Sequence, residues 1–279
     1  MSKSAAVSSF MPELSIVIPV YGDIENLQRC YAEIRKNTKL RYEIIFVDDE
    51  SPDQEMLRTF FDGIKNDSGV TILHNPKNMG FGQTANKGVS RVRAPIVVFV
   101  SSDVFVKEEC LDRMHAEFVN DPLLGVVGPK LLFPLDSKDP STRPPGKIQH
   151  AGLAFNVAGS PYHMFMGWSE DNPRVNIKKQ VQAVTGACFM TRTEVFKTQG
   201  GFADVYGKGT YEDMEFCIVT RVGGRKVLYL PTAVAYHHVG SSIGKAVERG
   251  EGGFDLERNA SIFRIRVGQA IHWDEWYHL

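Results

Sequence analysis

Residues 96–105 read IVVFVSSDVF. Five apolar residues, each β-branched or aromatic, run without a break into Ser101, Ser102 and Asp103. A short run of this kind predicts a strand buried on both faces. Open α/β sheets bind ligands just beyond the carboxyl ends of their strands. An Asp in that place can hold a divalent metal, and the metal a phosphate. It can equally cap a helix, here one expected to begin near Lys107, and the stretch alone does not choose between the two.

Upstream, strands and helices alternate. Residues 14–18 (LSIVI) predict a strand stopped by Pro19. Ile24, Leu27, Tyr31 and Ile34 recur at helical spacing and predict an amphipathic helix over 24–36. Residues 43–47 (EIIFV) predict the second strand, ending in DDESP at 48–52. Met56, Leu57, Phe60, Phe61 and Ile64 mark the next helix, and 70–73 the third strand. Such alternation gives a largely parallel sheet with right-handed crossovers.

Downstream the rhythm changes after residue 125. Residues 125–129 predict a short strand and 135–147 a surface loop rich in Pro, Ser, Asp and Lys. The glycine-containing stretch 148–165 suggests antiparallel strands. Residues 181–191 (VQAVTGACFMT) read as a strand and 193–198 as a short helix. A helix with an acidic first turn is expected over 211–222, and a last strand over 226–230 with 233–238 following it after Pro231. No linker composition separates the halves, so one domain with two lobes is expected.

Composition narrows the class. The 279 residues are 43% hydrophobic and 23% charged, ordinary for a globular protein with a full core. The net charge of -1 gives no strong nucleic-acid signal. Four scattered cysteines form no CxxC pair, so neither a zinc knuckle nor a disulfide framework is suggested, and free thiols in a reducing cytoplasm are expected. No apolar run approaches the ~18 residues of a membrane span.

Three further patterns bear on chemistry. Asp48 ends a strand, where a carboxylate can accept from a base N–H or a ribose hydroxyl, while Asp49 or Ser51 could merely cap the next helix. Glu212 and Asp213 open a helix, where acids complement the dipole. One of them could instead act as a general base, with the loop Gly207-Lys208-Gly209 closing on substrate. His237 and His238 follow a strand and could supply a second metal ligand beside Asp103, or be an ordinary pair at a strand end.

In their order these motifs resemble the family 2 glycosyltransferases, an inverting group with the GT-A fold. The matching stretches are SIVIPVYGDIENLQRC at 15–30, FVDDES at 46–51, NMGFGQTANKG at 78–88, VFVSSDVFV at 98–106, TGACFMTRTEVFKTQGGF at 185–202, YEDMEFC at 211–217 and YHHVGSS at 236–242. Within the group the chain looks most like rhamnosyltransferase-type members that build surface polysaccharides. The resemblance implies a mixed, mostly parallel central sheet with helices on both faces, a Rossmann-like nucleotide half and an acceptor half. It implies a nucleotide-diphosphate sugar as donor, Mn²⁺ or Mg²⁺ as cofactor, and a glycan-type acceptor. Pro19, Tyr21, Asp48, Asn86, Ser102 and Asp103 would bind the nucleotide. Asp103, matching the second Asp of the DxD motif, would hold the metal with His237 or His238, and the HxxGxS spacing favours His237. Gly186 and Ala187 would floor the sugar and acceptor site. Asp213 would be the catalytic base, with Glu212 orienting acceptor or loop.

Two positions depart from the pattern. Ser101 replaces the first acid of DxD, which puts the strength of metal binding in doubt. Glu50 replaces the usual Gly of DDGS. The competing readings are an inactive relative that binds nucleotide sugar, and a glycosyltransferase acting on modified DNA. The expected layout is a flexible leader over 1–13, the catalytic domain over 14–243, and a C-terminal extension over 244–279 packing on it. A cytoplasmic protein is expected. Trp273, Trp276 and Tyr277 could touch the inner face of a membrane or a partner subunit, and oligomeric state stays open.

Overall fold

The computed structural model describes residues 11–137, 139, 141–238 and 255–272. Its centre is a mixed sheet. β1 (Leu14–Val20), β2 (Tyr42–Asp48), β3 (Val70–His74) and β4 (Ile96–Val100) form a parallel block in the order β3-β2-β1-β4. The crossovers between them are α1 (Ile24–Asn37), α2 (Gln54–Ile64) and α3 (Phe81–Val89). Beyond β4 come β5 (Val104–Val106), α4 (Cys110–Asn120), β6 (Leu124–Leu132), β7 (Ile148–His150), β8 (Leu153–Phe155) and β9 (Pro161–His163). The remaining elements are β10 (Lys179–Gln180), β11 (Cys188–Arg192), α5 (Thr193–Thr198), α6 (Glu212–Val222), β12 (Lys226–His237) and α7 (Leu256–Val267).

β11 runs antiparallel between β4 and β6, and β6 is parallel to β12. The sheet is therefore mixed and mostly parallel, with helices on both faces. On one face, side chains of α1, α2 and α4 join Leu14, Ile16, Ile18 and Val20 of β1 in one apolar cluster. On the other, α3, α5, α6 and α7 pack on Val17, Val97 and Phe99. All five β4 residues are buried, as their unbroken apolar run requires. Burying side chains of this size contributes about 1.5–3 kcal/mol each.

Several boundaries differ from expectation. β1 continues through Pro19, at a level where pairing with β4 has already ended at Val17. Asp103 caps no helix, because α4 starts only at Cys110 and Val104–Val106 pairs with β12 instead. β6 runs the full nine residues to Leu132. Residues 226–237 form one strand that absorbs Pro231 in a register shift between Leu230 and Val234. Of the run at 181–191, only the part from Cys188 is strand, because Gly186 gives its N–H to a side chain rather than to a ladder. Met56, expected on the apolar face of α2, is 55% exposed. In the C-terminal extension α7 packs on the domain with Phe263 fully buried, while Trp273, Trp276 and Tyr277 lie outside the described residues. No helix among the described residues is long and apolar enough to cross a membrane.

Candidate active site

A cleft of about 420 Å³ opens at the carboxyl ends of β1, β2 and β4. Pro19 and Tyr21 reach it from β1, Asp49 from the end of β2, and Ser101, Ser102 and Asp103 from the turn after β4. Thr185, Gly186 and Ala187 line it as well, together with Lys208, Thr210, Glu212 and Asp213. Gln149, His163 and His237 also border it. Residues more than a hundred positions apart in sequence thus share one wall-to-wall space.

The pairing of β5 with β12 makes the first group. It sets His237 opposite Val104, beside Asp103. Asp103 Oδ1 lies 3.6 Å from His237 Nε2. On the far side of the ring, Gln149 Oε1 is 3.2 Å from His237 Nδ1. An amide oxygen only accepts, so Nδ1 carries the hydrogen and Nε2 presents its lone pair beside Asp103. Burial holds the His237 pKa below its usual value, against the pull of the Asp103 charge, which keeps the ring neutral. A buried carboxylate next to a neutral imidazole is a fitting donor pair for a divalent cation. The described residues contain no group of three metal-ligating side chains. Two protein ligands suffice where water and phosphate oxygens fill the other positions. His238 plays a different part: its backbone N–H donates to the Asp103 carbonyl at 3.0 Å, and it does not line the cleft.

The second group is the carboxylate pair that opens α6. Asp213 Oδ2 accepts the Gly186 N–H at 2.6 Å and Oδ1 accepts the Met214 N–H at 2.8 Å. A Cβ on Gly186 would sit 3.1 Å from the Asp213 Cβ, so a larger residue there would press on the carboxylate. Glu212 is buried, and its Oε2 has no hydrogen-bond partner among the described residues. Burial, then the charge of Asp213, push the Glu212 pKa up to about 8. Burial also raises Asp213, but the two backbone N–H groups oppose the rise. Of the pair, Glu212 therefore holds a proton the more firmly, and Asp213, with its N–H donors, is the one that ionises first.

Two anticipated residues stand elsewhere. Asp48 lines a neighbouring cavity of about 770 Å³ together with Gln54, Phe61 and His74. Its carboxylate accepts the Ser51 N–H at 2.9 Å and meets His74 Nδ1 at 3.2 Å. Asn86 does not line the cleft. Both ends of its amide are bound to the backbone of Phe202, at 2.8 and 2.9 Å, so it ties α3 to the segment after α5.

Other residues do work that the sequence did not assign to them. Asp49 caps nothing; it accepts the Met79 and Gly80 N–H groups at 2.8 and 2.9 Å and so fixes the loop before α3. Glu50 has φ +60, the conformation for which glycine is the usual solution, and its carboxylate accepts the Asn78 N–H at 3.0 Å. His163 Nδ1 lies 2.9 Å from His150 Nδ1, and burial holds His163 down to about 4, so this cleft imidazole is neutral. Gln149 and His163 come from irregular stretches where neither periodicity nor motif points to a role, whereas Lys208 belongs to the glycine-flanked loop expected to border the substrate.

Comparison with known proteins adds the following. The family model described as Glycosyl transferase family 2 matches residues 15–200. The uncharacterized protein y4gI of Sinorhizobium fredii is 27% identical over 84% of this chain. The O-antigen biosynthesis protein RfbC of Myxococcus xanthus is 23% identical over 83% of it. The chain spans only 25% and 18% of the lengths of these two relatives. Among solved structures, GalNAc-T7 with UDP, GalNAc and Mn²⁺ superposes with a TM-score of 0.66 at 17% identity, over 82% of this chain and 44% of that one. At that identity the likeness concerns the fold, which is the GT-A arrangement.

Proposed function

The chain belongs to glycosyl transferase family 2, and from that premise we propose that it moves a sugar from a nucleotide diphosphate to an acceptor hydroxyl with inversion at the anomeric carbon. The observation that carries this reading is one cleft in which the Asp213 carboxylate, held by the Gly186 N–H, faces the same space as the Asp103–His237 pair. The nucleoside would lie toward Asp48 and His74, with the diphosphate running past Asp49 to Asp103. Sequence neighbours Asp48 and Asp49 line the two cavities, which suits a ligand that extends across both.

Asp213 takes the proton of the acceptor hydroxyl as that oxygen attacks from the face opposite the leaving diphosphate. General-base help of this kind is worth about 10²–10⁴-fold. Gly186 N–H holds the carboxylate in place, so one oxygen is fixed while the carboxylate stays basic. Glu212, protonated, adds no second charge against it. A divalent cation held by Asp103 and His237 would offset the charge growing on the diphosphate. Ser101 contributes no carboxylate, so the cation would depend on these two side chains and on the substrate. A surface-polysaccharide acceptor and a hexosyl or deoxyhexosyl donor of the rhamnosyltransferase type fit the motif resemblance, and the name of the Myxococcus relative points the same way.

Calorimetry with UDP, dTDP and GDP, each with and without Mn²⁺, tests the reading. One nucleotide should bind, more tightly with Mn²⁺, and Asp103→Ala should remove the metal dependence. Asp213→Asn should keep nucleotide affinity within about twofold while the release of nucleoside diphosphate from the sugar nucleotide falls about 10²-fold or more. Absence of binding to any nucleotide diphosphate would refute the donor class, and near wild-type turnover in Asp213→Asn the base.

A further inference from the structure

The segment that delivers the carboxylate pair is strained. Gly207 and Gly209 have φ +62 and +142, and Thr210 and Tyr211, which are not glycines, both have φ +78. Glu212 follows directly. Non-glycine residues persist in that region only where the surroundings over-determine them. Here the surroundings are α7, more than forty residues further along the chain and outside the span that the family model matches.

Asn259 on α7 is 1% exposed. Its Nδ2 donates to the carbonyls of Tyr206 and Gly209, both at 2.9 Å, and lies 3.2 Å from Thr210 Oγ1. Arg258 fixes which end of the amide faces the turn. Its guanidinium donates to Asn259 Oδ1 at 3.1 Å and to the Val205 carbonyl at 3.0 Å. Around this clamp Phe263 packs on Tyr211 with ring centroids 5.2 Å apart, and Arg266 binds Glu215 of α6 through two bonds of 2.7 and 2.8 Å. From the opposite side the turn rests on the loop before α3. Phe81 N–H donates to the Lys208 carbonyl at 3.1 Å, and a Cβ on Gly80 would come within 2.4 Å of the Lys208 Cα. The turn is thus held between the loop before α3 and a single buried amide.

We propose that Asn259 is a positioning residue for the transfer reaction: it holds residues 206–210 in their strained course so that Asp213 meets the acceptor while Lys208 and Thr210 border the cleft. The proposal rests on the reading of Asp213 as the base. Asn259 touches no substrate and acts through the turn. Its two N–H bonds satisfy carbonyls that have left the helical pattern, which is what a buried backbone needs. A misplacement of about 1 Å at a catalytic group can cost about 10²-fold in rate.

Asn259→Asp tests it with little change in shape, because the carboxylate places an acceptor against two carbonyls. Asn259→Ala is the companion should the Asp variant fail to fold. In a folded variant, turnover of the sugar nucleotide should fall about 10- to 100-fold with its KM within about twofold of wild type. Hydrogen exchange at the amides of 206–213 should rise, with exchange in β1 and β4 unchanged. A residue that only supports stability would lower the melting temperature and leave kcat unchanged well below it, and that result overturns the proposal. So does a fall in turnover without faster exchange at 206–213. If the wild-type chain turns over no sugar nucleotide, the reading of function fails instead, and the exchange measurement alone then decides whether Asn259 holds the turn.

Discussion

At the scale of the residue, adjacent acids in one cleft do different work because their surroundings differ. Glu212 is buried with an oxygen that finds no partner among the described residues, whereas Asp213 receives two N–H groups. A carboxyl whose pKa rises from 4.5 to about 8 on folding binds its proton more tightly in the folded state. Between those pH values the folded protein holds more protons than the unfolded, so stability falls as pH rises through the window. Glu212→Gln removes that slope. Its melting temperature should match wild type near pH 4 and exceed it at pH 9, as thermal unfolding across the range would show; an unchanged difference would mean that Glu212 ionises normally. The motif resemblance could mark both acids but could not divide their charge. That division depends on burial and on the Gly186 N–H, which approaches from 27 residues away. Glu50 is similar: its bond to Asn78 spans 28 residues and is invisible in the DDES stretch.

At the scale of the element, each strand of the parallel block stands where its apolar run placed it, because a five-residue β-branched run has one comfortable environment. The departures occur where a tertiary partner overrode local punctuation. Pro19 and Pro231 stop no strand, and the stretch before Cys188 does not pair along its length. Packing of α3 on the sheet shows how tight these contacts are. A Cβ on Gly88 would lie 2.4 Å from Val17 Cγ1 and 3.2 Å from Val47 Cγ2. Gly88→Ala should therefore cost about 1–3 kcal/mol through overpacking, despite its better helix propensity. Urea unfolding would measure it, and a stabilised variant would show that α3 can shift outward freely.

At the scale of the whole molecule, α7 joins the domain through Phe263, Asn259 and the Arg266–Glu215 pair. The Glu215 side chain is 7% exposed and that of Arg266 45%. Removing the guanidinium leaves a buried carboxylate that keeps the Tyr206 hydroxyl as its side-chain donor among the described residues. Allowing for solvent at the exposed Arg, Arg266→Ala should cost about 2 kcal/mol, seen as a lower urea midpoint; an unchanged midpoint would mean that α7 is held by its apolar face alone. Composition and periodicity by themselves determined the alternating half, the mixed half and the buried strand that leads to Asp103, since these depend on local patterns of burial. The motif order determined the family. The HxxGxS spacing already favoured His237, and strand register sets it against Asp103. Only the tertiary structure decided that Asn86 ties backbone instead of lining the cleft, and that α7 grips the turn before Asp213. Both depend on contacts between distant segments, which leave no mark on the neighbouring sequence.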